Sequence, residues 1–180
     1  MSFVRNTFAM TGFVVLSACA QAVTNPAETS GGLFVSDVNV SVAPSIANQS
    51  SVVTGRSYQV GSAKLVSDLE ASLRSSLAQN SDATGTPVRV SVVVNEVFLA
   101  PPAGRVVAAT SFIKGSLSVT KADGEAVIPP RAIRGTTDNI RLAGALGLVT
   151  TQSGEEDYRG TLRGFAKTVR TALFGKSDGA

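Results

Sequence analysis

Apolar and polar residues along this 180-residue chain fall into two rhythms, one of period two and one close to period four. From Leu33 to Ala43, Val38, Val40 and Val42 alternate with Asp37, Asn39 and Ser41, the pattern of a strand with one buried face. Pro44 ends that strand, and Ser45 to Gly61 carries no readable periodicity. From Ser62 to Asn80 the rhythm changes. Leu65, Leu69, Leu73 and Leu77 recur every four residues, which predicts an amphipathic helix with Ser62 as its N-cap. Val88 to Leu99 gives the strongest strand signal, with Val88, Val90, Val92 and Val94 on one face. Glu96 breaks that alternation and shifts Val97 and Leu99 out of phase. Either a bulge near Asn95 or burial of both faces at the far end accounts for this.

The second half of the chain repeats the two rhythms. Ser111 to Thr120 predicts a third strand, with Ile113, Gly115, Leu117 and Val119 on one face. Asp123-Gly124 is a hairpin turn signal, and a fourth strand follows from Glu125 to Ile128. Pro129-Pro130 confines that strand to an edge or an end, with Arg131 to Thr137 able to extend it. A closing helix runs from about Glu155 to Phe174. Ser153 and Glu156 form its capping box, and Glu155, Glu156 and Asp157 suit the positive end of its dipole. Tyr158, Leu162, Phe165, Val169 and Leu173 mark its buried face, and Gly175 stops it. The fold class is therefore α+β. An antiparallel or mixed sheet of about four strands packs against two amphipathic helices in one domain over residues 33–175, followed by a polar tail at 176–180.

The N-terminus is of another kind. Arg5 precedes a short apolar stretch, Phe8 to Leu16, about half of the roughly 20 residues that span a bilayer. It has the length of a signal-peptide core. Leu16-Ser17-Ala18-Cys19 follows it directly and resembles the lipobox of bacterial lipoproteins: an aliphatic residue, two small residues, then cysteine. The resemblance implies that residues 1–18 are removed by signal peptidase II and that the Cys19 thiol carries a diacylglyceryl group. Two or three acyl chains make a stable anchor where one does not. A secretory peptide with a chance cysteine, or a buried thiol, is the plainer alternative. Ala20 stands where aspartate in Gram-negative lipoproteins favours the inner membrane, so the resemblance implies the periplasmic face of the outer membrane. Residues 19–32, with Asn25-Pro26 and Gly31-Gly32, read as the lipidated cysteine and a flexible tether.

Composition narrows the chemistry. The chain has 43% hydrophobic and 16% charged residues, which is globular, and a net charge of +3, too mild and too scattered for a nucleic-acid footprint. It has no histidine, which removes Ser-His-Asp catalysis and histidine-containing zinc sites. Its one cysteine is taken by lipid if the lipobox operates. No phosphate-binding or dinucleotide fingerprint is present. No catalytic residue, metal or cofactor is therefore expected. Glu96, at the end of an apolar strand, is the one carboxylate in an unusual place.

Two features remain. Arg159, Arg163, Lys167 and Arg170, spaced four, four and three apart, form one basic stripe on the last helix. It is either a solvated face or a contact for lipid phosphates or an acidic partner. The apolar run Leu142 to Val149, too short to span a membrane, is either packing beneath the last helix or a docking surface. The order of elements resembles the curli-export lipoprotein family and the LPS-assembly lipoproteins. Val88 to Leu99, the hairpin Val119 to Val127, and Leu142 to Val149 leading into Tyr158 to Phe174 carry this likeness. The resemblance implies a non-catalytic binding or assembly module with an envelope protein partner, attached to the membrane by its lipid. Binding of anionic lipid, LPS or a glycan through the basic stripe is the second expectation. An envelope hydrolase using Glu96 is the third.

Overall fold

The computed structural model describes residues 32–101, 109–138 and 153–175. Lipobox residues Leu16, Ser17, Ala18 and Cys19, most of the tether, the 142–149 run and the 176–180 tail lie outside them. Strand β1 (Leu33–Val42) is followed by a single turn, α1 (Pro44–Ala47), and a two-residue strand, β2 (Val53–Thr54). Helix α2 (Ser62–Ala78) crosses to β3 (Thr86–Phe98). Strands β4 (Phe112–Lys121) and β5 (Ala126–Thr136) and helix α3 (Gly154–Phe174) complete the domain.

The sheet is mixed and five-stranded, in the order β1-β3-β4-β5, with β2 also pairing with β3. β1 lies parallel to β3, the arrangement that requires a crossover element such as α2. β3, β4 and β5 form an antiparallel meander. The α+β expectation of a sheet against two helices holds, with β2 added. Val53 pairs with Val97 beyond the end of β1, so β3 is flanked along most of its length.

The valines at 88, 90, 92 and 94 are buried on the helix side with Val38, Val40, Ile113, Leu117 and Val119. The ladder shifts between Val94 and Glu96, which selects the bulge from the two alternatives at Asn95. The extra residue returns Val97 and Leu99 to the inner face, where both are buried. Over this layer lie the leucines of α2 at 65, 69, 73 and 77 and the stripe of Tyr158, Leu162, Phe165, Val169 and Leu173 from α3.

Two details depart from the sequence reading, and a third settles what it left open. Gly61, not Ser62, caps α2, with extended backbone and no side-chain bond; the Leu65 N–H donates to its carbonyl at 3.1 Å. Ser62 is instead the first helical residue, and glycine is a tolerated N-cap. β5 runs through Pro129-Pro130 to Thr136, the extension over Arg131 to Thr137 that the sequence allowed. It is the outermost strand, and the prolines fall at an irregularity of the β4–β5 ladder, between Ile128 opposite Val119 and Arg131 opposite Leu117, where neither is paired. Between Ser45 and Gly61 the chain still forms α1 and β2, held partly by the Ala43 N–H donating to the Val94 carbonyl at 2.8 Å.

Close approach of α3 to β5 depends on missing side chains. A Cβ at Gly164 would overlap the Thr136 carbonyl oxygen, and one at Gly135 would overlap the Cα of Phe165. Backbone meets backbone here, so neither group can swing aside, and the Asp138 N–H donates to the Gly160 carbonyl at 3.2 Å across the same contact. Gly164→Ala should therefore cost about 1–3 kcal/mol, as overpacking of a filled interior does. The check is a urea titration, in which the midpoint falls while the slope is retained. An unchanged midpoint would refute the close-approach account.

Candidate functional site

α2 and α3 lie side by side and run parallel. Near their N-terminal ends the Tyr158 hydroxyl donates to Asp68 Oδ2 at 3.0 Å, and near their C-terminal ends Arg170 Nη1 donates to Gln79 Oε1 at 2.8 Å. On α2, Ser72 and Ser76 each stand one residue before a buried leucine, about 100° round the helix. On α3, Arg163, Lys167 and Arg170 each stand one residue after a buried position. In a parallel pair these opposite flanks face each other across the seam.

The seam opens into a groove of about 410 Å³. Ser72, Ser75, Ser76 and Gln79 form its α2 wall. Arg163, Lys167 and Arg170 form its α3 wall, with Ala166 between them and Asp138 at the side. The cations are not equivalent. Arg163 is forked onto Asp138, Nε to Oδ2 at 3.0 Å and Nη2 to Oδ1 at 3.2 Å. That pair cancels its own charge. No carboxylate pairs with Lys167 or Arg170 among the described residues, so within these the groove carries two positive charges without an acid, opposite a row of hydroxyls. Arg159 leaves the stripe: it is exposed and bound to Glu155 at 2.6 Å. The four-residue stripe expected from the sequence thus divides into an exposed i,i+4 pair and a groove of three.

Arg159 instead borders a second hollow of about 260 Å³ with Tyr58, Lys64, Asp68 and Tyr158. Its polar groups are mutually satisfied. Lys64 is 2.8 Å from Asp68, which also accepts from Tyr158, and the two tyrosine rings lie 5.6 Å apart. The bond to Asp68 and its negative charge hold the Lys64 ammonium above its usual range. Burial, and then the nearby Asp68 carboxylate, push the Tyr158 phenol far above its ordinary value. Glu96 sits on the outer sheet face, 2.7 Å from Lys114 and partly exposed.

One group escaped the sequence reading. Asp157, counted there among the acids of the helix start, is fully buried. Its Oδ2 accepts from the buried Ser111 hydroxyl at 2.6 Å, and Ser111 Oγ accepts from the Ala100 N–H at 2.8 Å. The chain ties α3 to both ends of the 99–111 connection. The usable signal was phase. Asp157 adjoins Tyr158 and lies four residues before Thr161, itself buried and bonded to the Asp157 carbonyl at 2.7 Å.

No helix among the described residues is long and apolar enough to cross a membrane. No family model matches the sequence, and no curated protein matches it. Among solved structures, a protein of the DUF330 family from Xanthomonas campestris is 12% identical, with a TM-score of 0.41 over 80% of each chain. A candidate lipoprotein from Caulobacter crescentus CB15 is 13% identical, with a TM-score of 0.34 over 76% of this chain and 87% of that one.

The raised Tyr158 pKa has a defined sign. Folding favours the neutral phenol, so its contribution is complete below the unfolded tyrosine pKa of about 10 and is lost as pH rises above it. Stability of the native protein should therefore fall above about pH 10, and Tyr158→Phe should flatten that fall in urea midpoints measured across the alkaline range. An equally steep fall in the variant would place the sensitivity elsewhere.

Proposed function

We propose that this chain is a lipid-anchored periplasmic protein of the outer membrane that binds rather than catalyses, with the α2–α3 groove as its binding surface. The observation that carries the reading is the unequal charge of the groove. Arg163 is neutralised by Asp138, while Lys167 and Arg170 face the serines with no carboxylate of their own among the described residues. Cations held in a polar hollow without an internal carboxylate are placed for an external anion. The anchor rests on the lipobox at Leu16 to Cys19 and on Ala20. The absence of histidine from the chain supports a binding role over a hydrolytic one.

The open side of the sheet favours a second reading, an assembly module that docks an envelope protein. No helix covers the outer face among the described residues, and Phe98 and Phe112 stack there at 5.3 Å. Lys114 and Arg134 lie 4.8 Å and 4.3 Å from the Phe112 ring centroid.

Two measurements separate these readings. Inhibition of signal peptidase II should make a precursor accumulate, and the mature protein should begin at a diacylated Cys19; a chain cut elsewhere, with a free thiol, removes the anchor. A photoreactive residue in place of Ser75, in the groove, should then give adducts of an anionic envelope component in intact cells. Adducts from Ala132 on the outer sheet face, with none from Ser75, would favour the docking reading instead.

A further inference from the structure

One end of the groove, at Gln79 and Arg170, lies near Gly32, the first described residue of the domain. The Asp82 N–H, in the turn after α2, donates to the Leu33 carbonyl at 3.0 Å, and the Thr86 N–H donates to the Gly32 carbonyl at 2.8 Å. The entry point is thereby fastened to the segment that follows Gln79, and Gln79 accepts from Arg170. Gly32, Gln79 and Arg170 mark one end of the molecule, and the uncompensated cations lie along the wall that leads to it. Residues 20–32 can span at most about 45 Å. A chain of that length, attached at this end, puts the groove within reach of the membrane that receives the acyl groups.

The donors lining the groove select the anion. A phosphate ester accepts several hydrogen bonds on its unesterified oxygens, so an ammonium, a guanidinium and two hydroxyls can share one group. A carboxylate offers the same two charged oxygens as a lipid phosphodiester, but the lipid adds two ester oxygens and, in phosphatidylglycerol, glycerol hydroxyls as further acceptors for the serine row. The volume of about 410 Å³ suits a headgroup rather than a folded element.

We propose that the α2–α3 groove binds the phosphate of an anionic lipid headgroup, one whose phosphate is not neutralised by a cation of its own, in the membrane that holds the chain's own anchor. Lys167 and Arg170 supply the charge, and Ser72 and Ser76 the hydroxyl donors. The inference rests on the reading of the groove as an anion-binding surface.

The test uses the mature lipidated protein in phosphatidylcholine vesicles with and without phosphatidylglycerol. The readout is the rate at which Lys167 is acetylated by an N-hydroxysuccinimide ester, followed by peptide mass. Lys114, on the outer sheet face, is the internal reference. Relative to Lys114, acetylation of Lys167 should slow several-fold when phosphatidylglycerol is present. The protection should disappear in a chain carrying Ser72→Ala, Ser76→Ala and Arg170→Gln, whose fold is checked by circular dichroism. Equal rates in the two vesicles, or protection that survives the triple substitution, would overturn the proposal. Protection by free glycerol phosphate in phosphatidylcholine vesicles, matching that of the anionic lipid, would overturn the membrane source. Protection by soluble polyglutamate alone would leave the groove an anion site and overturn the lipid phosphate. If no probe protects Lys167, the binding reading of the groove falls as well.

Discussion

The architecture depends on removing one face of a valine-rich sheet from water. Val88, Val90, Val92 and Val94 of the central strand are buried, and a single helix about 10 Å across cannot cover the breadth of four strands. Two helices must lie abreast, each presenting one apolar stripe. Each stripe has flanks that belong neither to the core nor to open solvent, and where the helices meet, those flanks form a seam. The α2–α3 groove is that seam. Its residues are set by helical phase: serines just before the leucines of α2, cations just after the buried positions of α3. The contact of Gly135 and Gly164 fixes how closely α3 approaches β5, and so where its basic flank comes to rest.

The same layering leaves two strand edges, and the chain treats them differently. Side chains of α2 and the turn after it seal the β1 edge. The Val35 N–H donates to Ser81 Oγ at 2.8 Å, the Val40 N–H to Glu70 Oε1 at 3.2 Å, and Arg74 Nη2 donates to the Val38 carbonyl at 2.8 Å. At the other edge, β5 carries Pro129-Pro130 and the charged Arg131 and Arg134. Proline and charge are common means of discouraging strand addition. On the outer face, Lys114 and Arg134 lie over the Phe112 ring, and Phe34 and Val93 are the only large apolar side chains exposed among the described residues.

The fold was legible wherever one face of an element is buried and the other is wet. The leucines of α2, the valines of β3 and the capping box of α3 carry such signals, because burial on one side imposes a period on the sequence. The Ser153–Glu156 box appears with both of its bonds, at 2.7 Å and 3.1 Å. β2 and α1 were not legible. They owe their conformation to pairing with the far end of β3, a tertiary contact that leaves no local period. The groove was half legible: the sequence placed Arg163, Lys167 and Arg170 on one face, but not Asp138, which neutralises one of them from 25 residues away. Asp157 does lie in the first turn, but its burial was not legible, because an acid there has a sufficient local explanation in the helix dipole and only the tertiary fold brings Ser111 to it.

The proposed lipid anchor and a weak groove would fit each other energetically. A lysine or arginine near an anionic membrane surface contributes about 1 kcal/mol, so two give a preference of roughly thirtyfold. That is too little to hold a free protein on a membrane. A groove confined near the headgroups by a short chain meets them at an effective concentration in about the millimolar range, where such an affinity suffices to orient the domain. Screening sharpens the point. At physiological salt a charge is felt over only about 8 Å, so the overall charge of +3 matters less than which cations touch a headgroup. On this view the Arg163–Asp138 pair has a use in being neutral. It limits the groove's charge to Lys167 and Arg170, so that direct contact with a phosphate, rather than diffuse attraction to any acidic surface, determines what binds.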